Sequence, residues 1–348
     1  MRTKKIWNAV WTFVFCLASL IVFTEKAHAA ETDSQRAGTL RAYIENQGLF
    51  YGEYKDCMYT YTNQEKEIKI IGLNENAENI KIPNKINGKK VTILDLIPKN
   101  EVISLGGSLN LKAKSITLSR YMNKITDSFF YYFDITPKLE AYHVSSDNPK
   151  FMAKDGVLFS KHGRTLISFP EHKKMKTYQI PSGVTKIASY AFKDCRKVQN
   201  IVMPDTVKII KHRAFCDSSI HKINLSRNLE MMEESAFEGS DITEITIPSK
   251  LKEIPKSCFC YCKKLKKVTI QQGVKKIVYH AFLDCPKLRT IIIPPSVTDF
   301  DEGAFVYISS HFKPEIINLT IYAKERSFAY KEASKWGEHG IKVKKWNS

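Results

Sequence analysis

The stretch Ile180-Pro-Ser-Gly-Val-Thr-Lys-Ile-Ala-Ser-Tyr-Ala-Phe-Lys-Asp-Cys195, closing with Val198-Gln-Asn-Ile-Val-Met-Pro204, decides the fold because the chain repeats it. Its Phe192 is followed by Phe215, Phe237, Phe259, Phe282 and Phe305, at spacings of 23, 22, 22, 23 and 23 residues. Five positions ahead of each stands another apolar residue: Ile187, Ile210, Met232, Ile254, Ile277 and Phe300. Downstream runs an apolar strand, as in Ile201-Val-Met-Pro204, Ile223-Asn-Leu-Ser226, Ile245-Thr-Ile-Pro248, Val268-Thr-Ile-Gln271 and Ile291-Ile-Ile-Pro294. A fixed period of this length implies one solenoid coil per repeat. Such a coil has little room for a buried catalytic pocket. It offers instead a long, regular outer surface, which suits binding.

The seven cysteines beyond residue 29 follow the same register. Cys195, Cys262 and Cys285 stand three residues after the repeat Phe, and Cys216 and Cys260 stand directly after it. Cys258 takes the place held elsewhere by Ala191, Ala214, Ala236, Ala281 and Ala304, and Cys57 lies outside the repeats. Small buried thiols in repeat columns behave as apolar packing residues. An odd number also rules out a complete internal disulfide framework. The cluster Cys258-Phe-Cys-Tyr-Cys262 lacks the usual zinc spacing of two or more intervening residues, so neither a metal nor a cofactor is expected. Cys262 and Cys285 occupy one column in adjacent coils, where a strand spacing of about 4.8 Å permits a disulfide without requiring one.

The N-terminus reads as a secretory signal. Arg2, Lys4 and Lys5 precede an apolar run over residues 6–23, and Ala27-His28-Ala29 is a small-x-small cleavage pattern. The expectation is cleavage after Ala29 and a secreted or surface-associated product without stable membrane insertion; an uncleaved anchor is the competing reading. The chain has 54 Lys+Arg against 36 Asp+Glu, a formal net charge of +18. The signal segment carries four of those bases and one acid, so +15 remains on the mature protein. That sign favours anionic partners, among them acidic proteins, glycans, lipid headgroups and wall polymers, and nucleic acid is the weaker reading.

Beyond the signal at 1–29, residues 30–48 read as a flexible leader and residues 49–94 as strands of an N-terminal cap. Residues 95–325 read as the solenoid, with 95–115 an irregular coil and a β-hairpin inserted at 151–172. In the hairpin, Asp155-Gly-Val-Leu-Phe159 and Thr165-Leu-Ile-Ser-Phe169 are joined through Lys161-His-Gly-Arg164. Residues 326–348, with helical spacing from Ser327 to a stop at Gly337 and a last strand at Ile341-Lys-Val343, read as a C-terminal cap.

The quoted stretch resembles the BspA-type leucine-rich repeat, whose pattern is I-P-x-x-V-x-x-I-x-x-x-A-F-x-x-C-x-x-L-x-x-I-x-I-P. The match extends over roughly residues 80–325, and the Asp155 hairpin and the C-terminal element also resemble features common in that family. The coil from Leu229 departs in Leu229 and Met232, and the coil from Leu251 in Cys258; all three keep the core apolar. The resemblance implies a mostly β, α/β-class solenoid, a leucine-rich-repeat horseshoe of 22–23-residue coils capped at both ends. It also implies an exported bacterial protein, with adhesion or ligand recognition as its work.

The strand Leu-x-x-Ile-x-Ile alternates inward and outward, so the coils present two outward columns. One reads Ser115, Ala141, Asn200, Lys222, Glu244, Lys267, Thr290 and Asn318; the other reads Thr117, His143, Val202, Asn224, Thr246, Thr269, Ile292 and Thr320. Asn200, Lys222, Glu244, Lys266, Lys267 and Arg289 are the candidate ligand-binding residues. Between residues 228 and 249 there are six acids and no Lys or Arg; between 250 and 289, eleven basic residues face two acids. An acidic band therefore lies beside a basic one.

No catalytic residue is expected. The nine histidines are scattered, without metalloprotease, nucleophile-elbow or phosphate-loop patterns. Cys216 and His212 are the one pair that suggests a thiol nucleophile, and no third orienting group accompanies them. Three readings follow: a recognition or adhesion module, a wall-associated protein held electrostatically by anionic polymers, and, weakest, a cysteine-dependent enzyme or effector.

Overall fold

The computed structural model describes residues 50–61, 67–74, 76–95, 112–132, 138–305, 318–335, 337 and 340–346. The expected signal segment and leader, and most of the irregular coil at 95–115, lie outside these.

Each coil is three short segments, and along most of the repeats each segment is hydrogen-bonded to its counterpart in the next coil. The first is a strand of three to five residues: Asn200–Val202 pairs in parallel with Lys222–Asn224, and Glu244–Ile247 with Lys267–Ile270. The second is a two-residue strand, as where Lys186–Ile187 pairs with Ile209–Ile210 and that with Met231–Met232. The third is a turn segment with a ladder of its own. Phe192 N donates to Ala214 O at 2.7 Å, Phe215 N to Ala236 O at 2.8 Å, and Phe237 N to Cys258 O at 2.9 Å. Phe259 N and Phe282 N continue it to Ala281 O and Ala304 O, both at 2.8 Å.

Backbone conformation explains why this third side is not helical. Two residues before each Phe, Tyr190, Arg213, Ser235, Ser257 and His280 have φ between 51° and 60°. Two residues after it, Asp194, Asp217, Gly239, Tyr261 and Asp284 have φ between 51° and 67°. A left-handed residue breaks an α-helix, and two per coil turn the amides at Phe and its second neighbours toward the next coil. α-Helix among the described residues is confined to Asp127–Tyr132 and Phe328–Ser334, with one 3₁₀ turn at Glu302–Ala304. The fold is a mostly β solenoid.

The beat of phenylalanines becomes one column of rings. Phe192, Phe215, Phe237, Phe259, Phe282 and Phe305 stack with centroids 4.8 to 5.6 Å apart and planes within 14° of parallel. Phe169 extends the stack by one, 5.2 Å from Phe192 at 22°. It stands 23 residues before Phe192, on the beat, within the stretch Thr165-Leu-Ile-Ser-Phe169 whose pattern reads as a hairpin strand. Its amide also joins the turn ladder, donating to Ala191 O at 2.7 Å.

The expected hairpin is present, and its sheet is continuous with the short-strand column of the coils. Phe151–Lys154, Val157–Ser160 and Thr165–Ser168 are three antiparallel strands, and the last pairs in parallel with Lys186–Ile187. Val157, Leu158 and Phe159 are all buried, and they face two different cores: Leu158 packs with the N-terminal cluster, Val157 and Phe159 with the C-terminal one. This strand is a wall between two hydrophobic cores, which is why it reads as a continuous apolar run. Two contacts seat it. Gly156, at φ 76°, lies where a Cβ would come within 3.0 Å of the Ala141 Cβ. Asn148, fully buried, donates to Ser119 O and Met122 O and accepts from the amides of Lys150 and Phe151.

At the N-terminal end Phe50–Tyr54, Cys57–Tyr61 and Glu67–Leu73 form an antiparallel sheet that passes into parallel pairing with Lys89–Leu94. Asn87 and Gly88, both at positive φ, form the hairpin turn between Lys85–Ile86 and Lys89–Leu94. Asn79–Lys81, within the stretch assigned above to the cap, pairs in parallel with Ser115–Thr117 and so is the first rung of the long-strand column. At the other end Ser327 caps the helix Phe328–Ser334 by accepting from Tyr330 N. Phe328 packs edge-on against Phe300, and Ile341–Lys345 pairs in parallel with Leu319–Ala323.

One junction inside the repeats is weaker than the rest. Neither strand column continues as a hydrogen-bonded ladder from Lys222–Asn224 to Glu244–Ile247 or from Met231–Met232 to Glu253–Ile254. Across it the ring stack and the turn ladder persist. Removing a ring from this point should cost heavily: Phe237→Ala is expected to lower unfolding free energy by about 3–5 kcal/mol. Urea unfolding measures it, and an unchanged midpoint would mean that the stack does not hold the coils.

Candidate binding surface

Strand register fixes the outward columns, and at two places it corrects the sequence reading: Thr177 and Gln179 pair with Asn200 and Val202 and so precede them in the columns, and the last strand is displaced. Asn200 pairs with Lys222, and Glu244 with Lys267 and then Thr290, as the repeat spacing indicates. Thr290, however, pairs with Thr320 and not with Asn318, and Ile292 pairs with Tyr322. The last strand is shifted by two residues. A two-residue shift leaves every inward residue inward, so alternation alone could not detect it.

The six candidate residues occupy one edge of this face. Lys222, Glu244 and Lys267 are exposed in a single column, with Asn200 half-buried beside Lys222. Lys266 and Arg289 stand one residue earlier, at the corner where the turn segment enters the strand. They stack directly, since Arg289 N donates to Lys266 O at 3.0 Å. The Arg289 guanidinium is held by its own turn: Nη1 donates to Pro286 O at 2.7 Å and Leu288 O at 3.1 Å.

The acidic band has a different role from the one its composition suggested. Of its six carboxylates, five are taken by bases on neighbouring coils. Glu230, Glu233 and Glu238 pair backward with Lys208, Lys211 and Arg213. Glu234 and Asp241 pair forward with Lys256 at 3.0 Å and Lys264 at 2.9 Å, across the weak junction. Lys264 also lies 3.4 Å from His221 Nε2, and Lys250 donates to Asn228 there. Each exposed pair contributes little alone, about 0.2–1 kcal/mol, but together they favour one coil register. The band is thus part of the solenoid's own cohesion and not a free surface. Glu244 forms no ion pair among the described residues, nor do Lys222, Lys252, Lys263, Lys266, Lys267, Lys275 and Lys287.

The thiols are internal. All seven described cysteines are buried and unbridged. Those three residues after the Phe act as donors: Cys262 Sγ reaches Phe237 O and Cys285 Sγ reaches Phe259 O, each at 3.1 Å. Ser218 and Ser240 hold the same place in their coils. Where it is Cys, two residues separate it from the next core residue (Val198, Leu265, Leu288); where it is Ser, one does (Ile220, Ile242). That single residue is the difference between the 23- and 22-residue spacings. Cys216, the one thiol near a histidine in sequence, donates to Asp217 Oδ2 at 3.1 Å, while His212 meets the edge of Tyr190. Burial, the Asp217 hydrogen bond and the Asp217 charge all push the Cys216 thiol up. That opposes what a nucleophilic thiol requires.

Burial likewise pushes the thiols of Cys57, Cys260 and Cys262 up to about 12. In the unfolded chain they ionise near the ordinary value of 9.0. Between those values unfolding releases protons, so stability should be intact below pH about 9 and fall steadily above it. Urea midpoints from pH 7 to 11 measure this. A thiol reagent at pH 8 should label the protein only at the rate at which it unfolds; rapid labelling of the native protein would contradict the burial.

Comparison with known proteins agrees with this architecture. Residues 167–239 and 185–313 match the BspA type leucine rich repeat region, in six copies. The crystal structure of the pneumococcal vaccine antigen PcpA superposes with a TM-score of 0.52 at 17% identity, over 86% of this chain and 99% of that one. A leucine-rich repeat protein from Eubacterium ventriosum gives 0.51 at 16% identity, over 86% and 96%. At such identities the likeness is one of fold. None of the curated proteins matches the sequence. With its coil pattern, its ring stack and these matches in hand, residues 167–313 form a BspA-type leucine-rich repeat region, within a chain that has the fold of bacterial leucine-rich repeat proteins.

Proposed function

We propose that this chain is an exported recognition protein of the bacterial surface or its surroundings, which binds an extracellular protein or glycan and performs no catalysis. The observation that carries this reading is the division of labour among its charges. Five of the six carboxylates between residues 228 and 249 are used between coils, while Lys222, Glu244 and Lys267, in one outward column, are left facing solvent. A column of mixed, unpaired charges on a rigid strand face suits contact-specific recognition. The second reading, retention by anionic wall polymers with no discrete ligand, is favoured by the unpaired lysines elsewhere, such as Lys252 and Lys275, whose exposed side chains lie along the two-residue strands.

Salt separates the two. The full exported chain is tested against matrix proteins, glycans and wall polymers as salt rises from roughly 0.05 to 0.2 M, which shortens the screening length. Recognition predicts a partner retained at the higher salt and weakened by Lys222→Glu or Lys267→Glu. Binding to every polyanion that disappears with salt would replace this reading with the second. No binding at all would remove both.

A further inference from the structure

One corner of the solenoid combines three features found together nowhere else among the described residues. The first is charge. On two successive coils, Lys263, Lys266, Lys267, Lys287 and Arg289 have no carboxylate partner, whereas five of the six acids two coils earlier are consumed by ion pairs. The second is a guanidinium fixed in place: with Nη1 committed to Pro286 O and Leu288 O, Arg289 has lost much of its freedom before any ligand arrives. A planar, pre-oriented guanidinium suits a carboxylate, which it can meet with two parallel hydrogen bonds.

The third feature is Tyr261. The position two residues after the stacked Phe is left-handed in the coils from Phe192 to Phe282, and apart from Tyr261 it is Asp194, Asp217, Gly239 or Asp284, types that tolerate φ > 0. Tyr261 holds φ 58° and is 47% exposed. A bulky residue in that conformation costs stability, and such costs concentrate at functional sites. The ring sits at the start of the same corner loop, where Lys263 N donates to Tyr261 O at 2.8 Å. Three acids adjoin the corner: Asp241 is paired to Lys264, Glu244 is the register neighbour of Lys267, and Asp284 holds Tyr261's place in the next coil.

We propose that this corner binds an acidic polysaccharide, with a sugar ring against Tyr261 and ring carboxylates on Arg289 and the surrounding lysines. An aromatic face packs against the apolar face of a pyranose, and successive charged rings can meet bases repeating at the coil spacing of about 4.8 Å. A polyphosphate chain has no ring to place there, whereas a nucleic acid has, so oligodeoxyadenylate is the comparison that separates the two. The proposal rests on the recognition reading above and supplies its ligand class.

The test is titration of the full exported chain with oligogalacturonate at roughly physiological salt, where the screening length is about 8 Å. Polyphosphate, neutral dextran and oligodeoxyadenylate serve as comparisons. Oligogalacturonate should bind saturably and more tightly than any of the three. Tyr261→Asn, which suits the left-handed site, should leave the protein at least as stable and weaken binding about tenfold, the size of one lost contact. Arg289→Lys keeps the charge and should weaken binding by a similar factor. Unchanged affinity in both variants, equal binding of polyphosphate, tighter binding of oligodeoxyadenylate, or no binding of oligogalacturonate would each overturn the proposal. A different partner, lost in Lys222→Glu but kept in Tyr261→Asn, would overturn it while leaving the recognition reading intact.

Discussion

Everything in this solenoid is set by the closeness of two distances. Parallel strands lie about 4.8 Å apart, and stacked aromatic rings are favourable with centroids from about 4.5 to 7 Å. A phenylalanine at the same place in every coil therefore falls into contact with the one before and the one after, at 4.8 to 5.6 Å along the column from Phe192. Because the rings are buried and parallel, the stack fixes coil spacing and coil phase together. It also explains the column of Ala191, Ala214, Ala236, Cys258, Ala281 and Ala304, each almost fully buried beside its Phe. A larger side chain there would have no space once the rings are in contact.

The turn side follows from that constraint. To bring Phe inward every coil, the backbone reverses within a few residues, and two left-handed positions accomplish this. The same geometry aims alternate amides along the solenoid axis, so the turn side acquires an inter-coil ladder without being a sheet. The carbonyl of the Phe itself then receives a second kind of donor, the thiol of Cys262 or Cys285 from the following coil. The cysteines are thus part of a hydrogen-bonded column in which serine is the alternative, which accounts for their number better than redox chemistry does.

How much of this was legible in the sequence depends on range. The period, the inward residues and the family pattern could be read directly, because each coil repeats them at fixed spacing. Phe169 could have been found too: it lies on the beat, but the hairpin pattern around it, with Thr165-Leu-Ile-Ser, competed for the same residues. The wall formed by Val157–Ser160 was not legible, since a strand buried on both faces looks like any apolar run. The displaced pairing of Thr320 was hidden by the two-residue symmetry of a strand. At the candidate surface, the columns holding Asn200, Lys222, Glu244 and Lys267 could be read, whereas the fate of the acids could not. Glu234 finds Lys256, and Asp241 finds Lys264, only once the coils are stacked.

That last point bears on how charge should be read in any stacked repeat. A band of one sign in the sequence becomes a layer one coil thick, with a neighbour on each face. Its side chains meet those of adjacent coils before they meet solvent, and opposite bands neutralise each other as the solenoid forms. The available charge is what the stack leaves over, and it depends on position within the coil as well as on total composition. Here three of the five pairs join coils whose strands are also hydrogen-bonded, and two cross the junction after Lys222–Asn224, where neither strand column continues as a ladder. The unpaired bases lie further on, at the corner of Lys266 and Arg289. The acids tie their coil to the neighbours on both sides, and by doing so leave a basic surface beyond them.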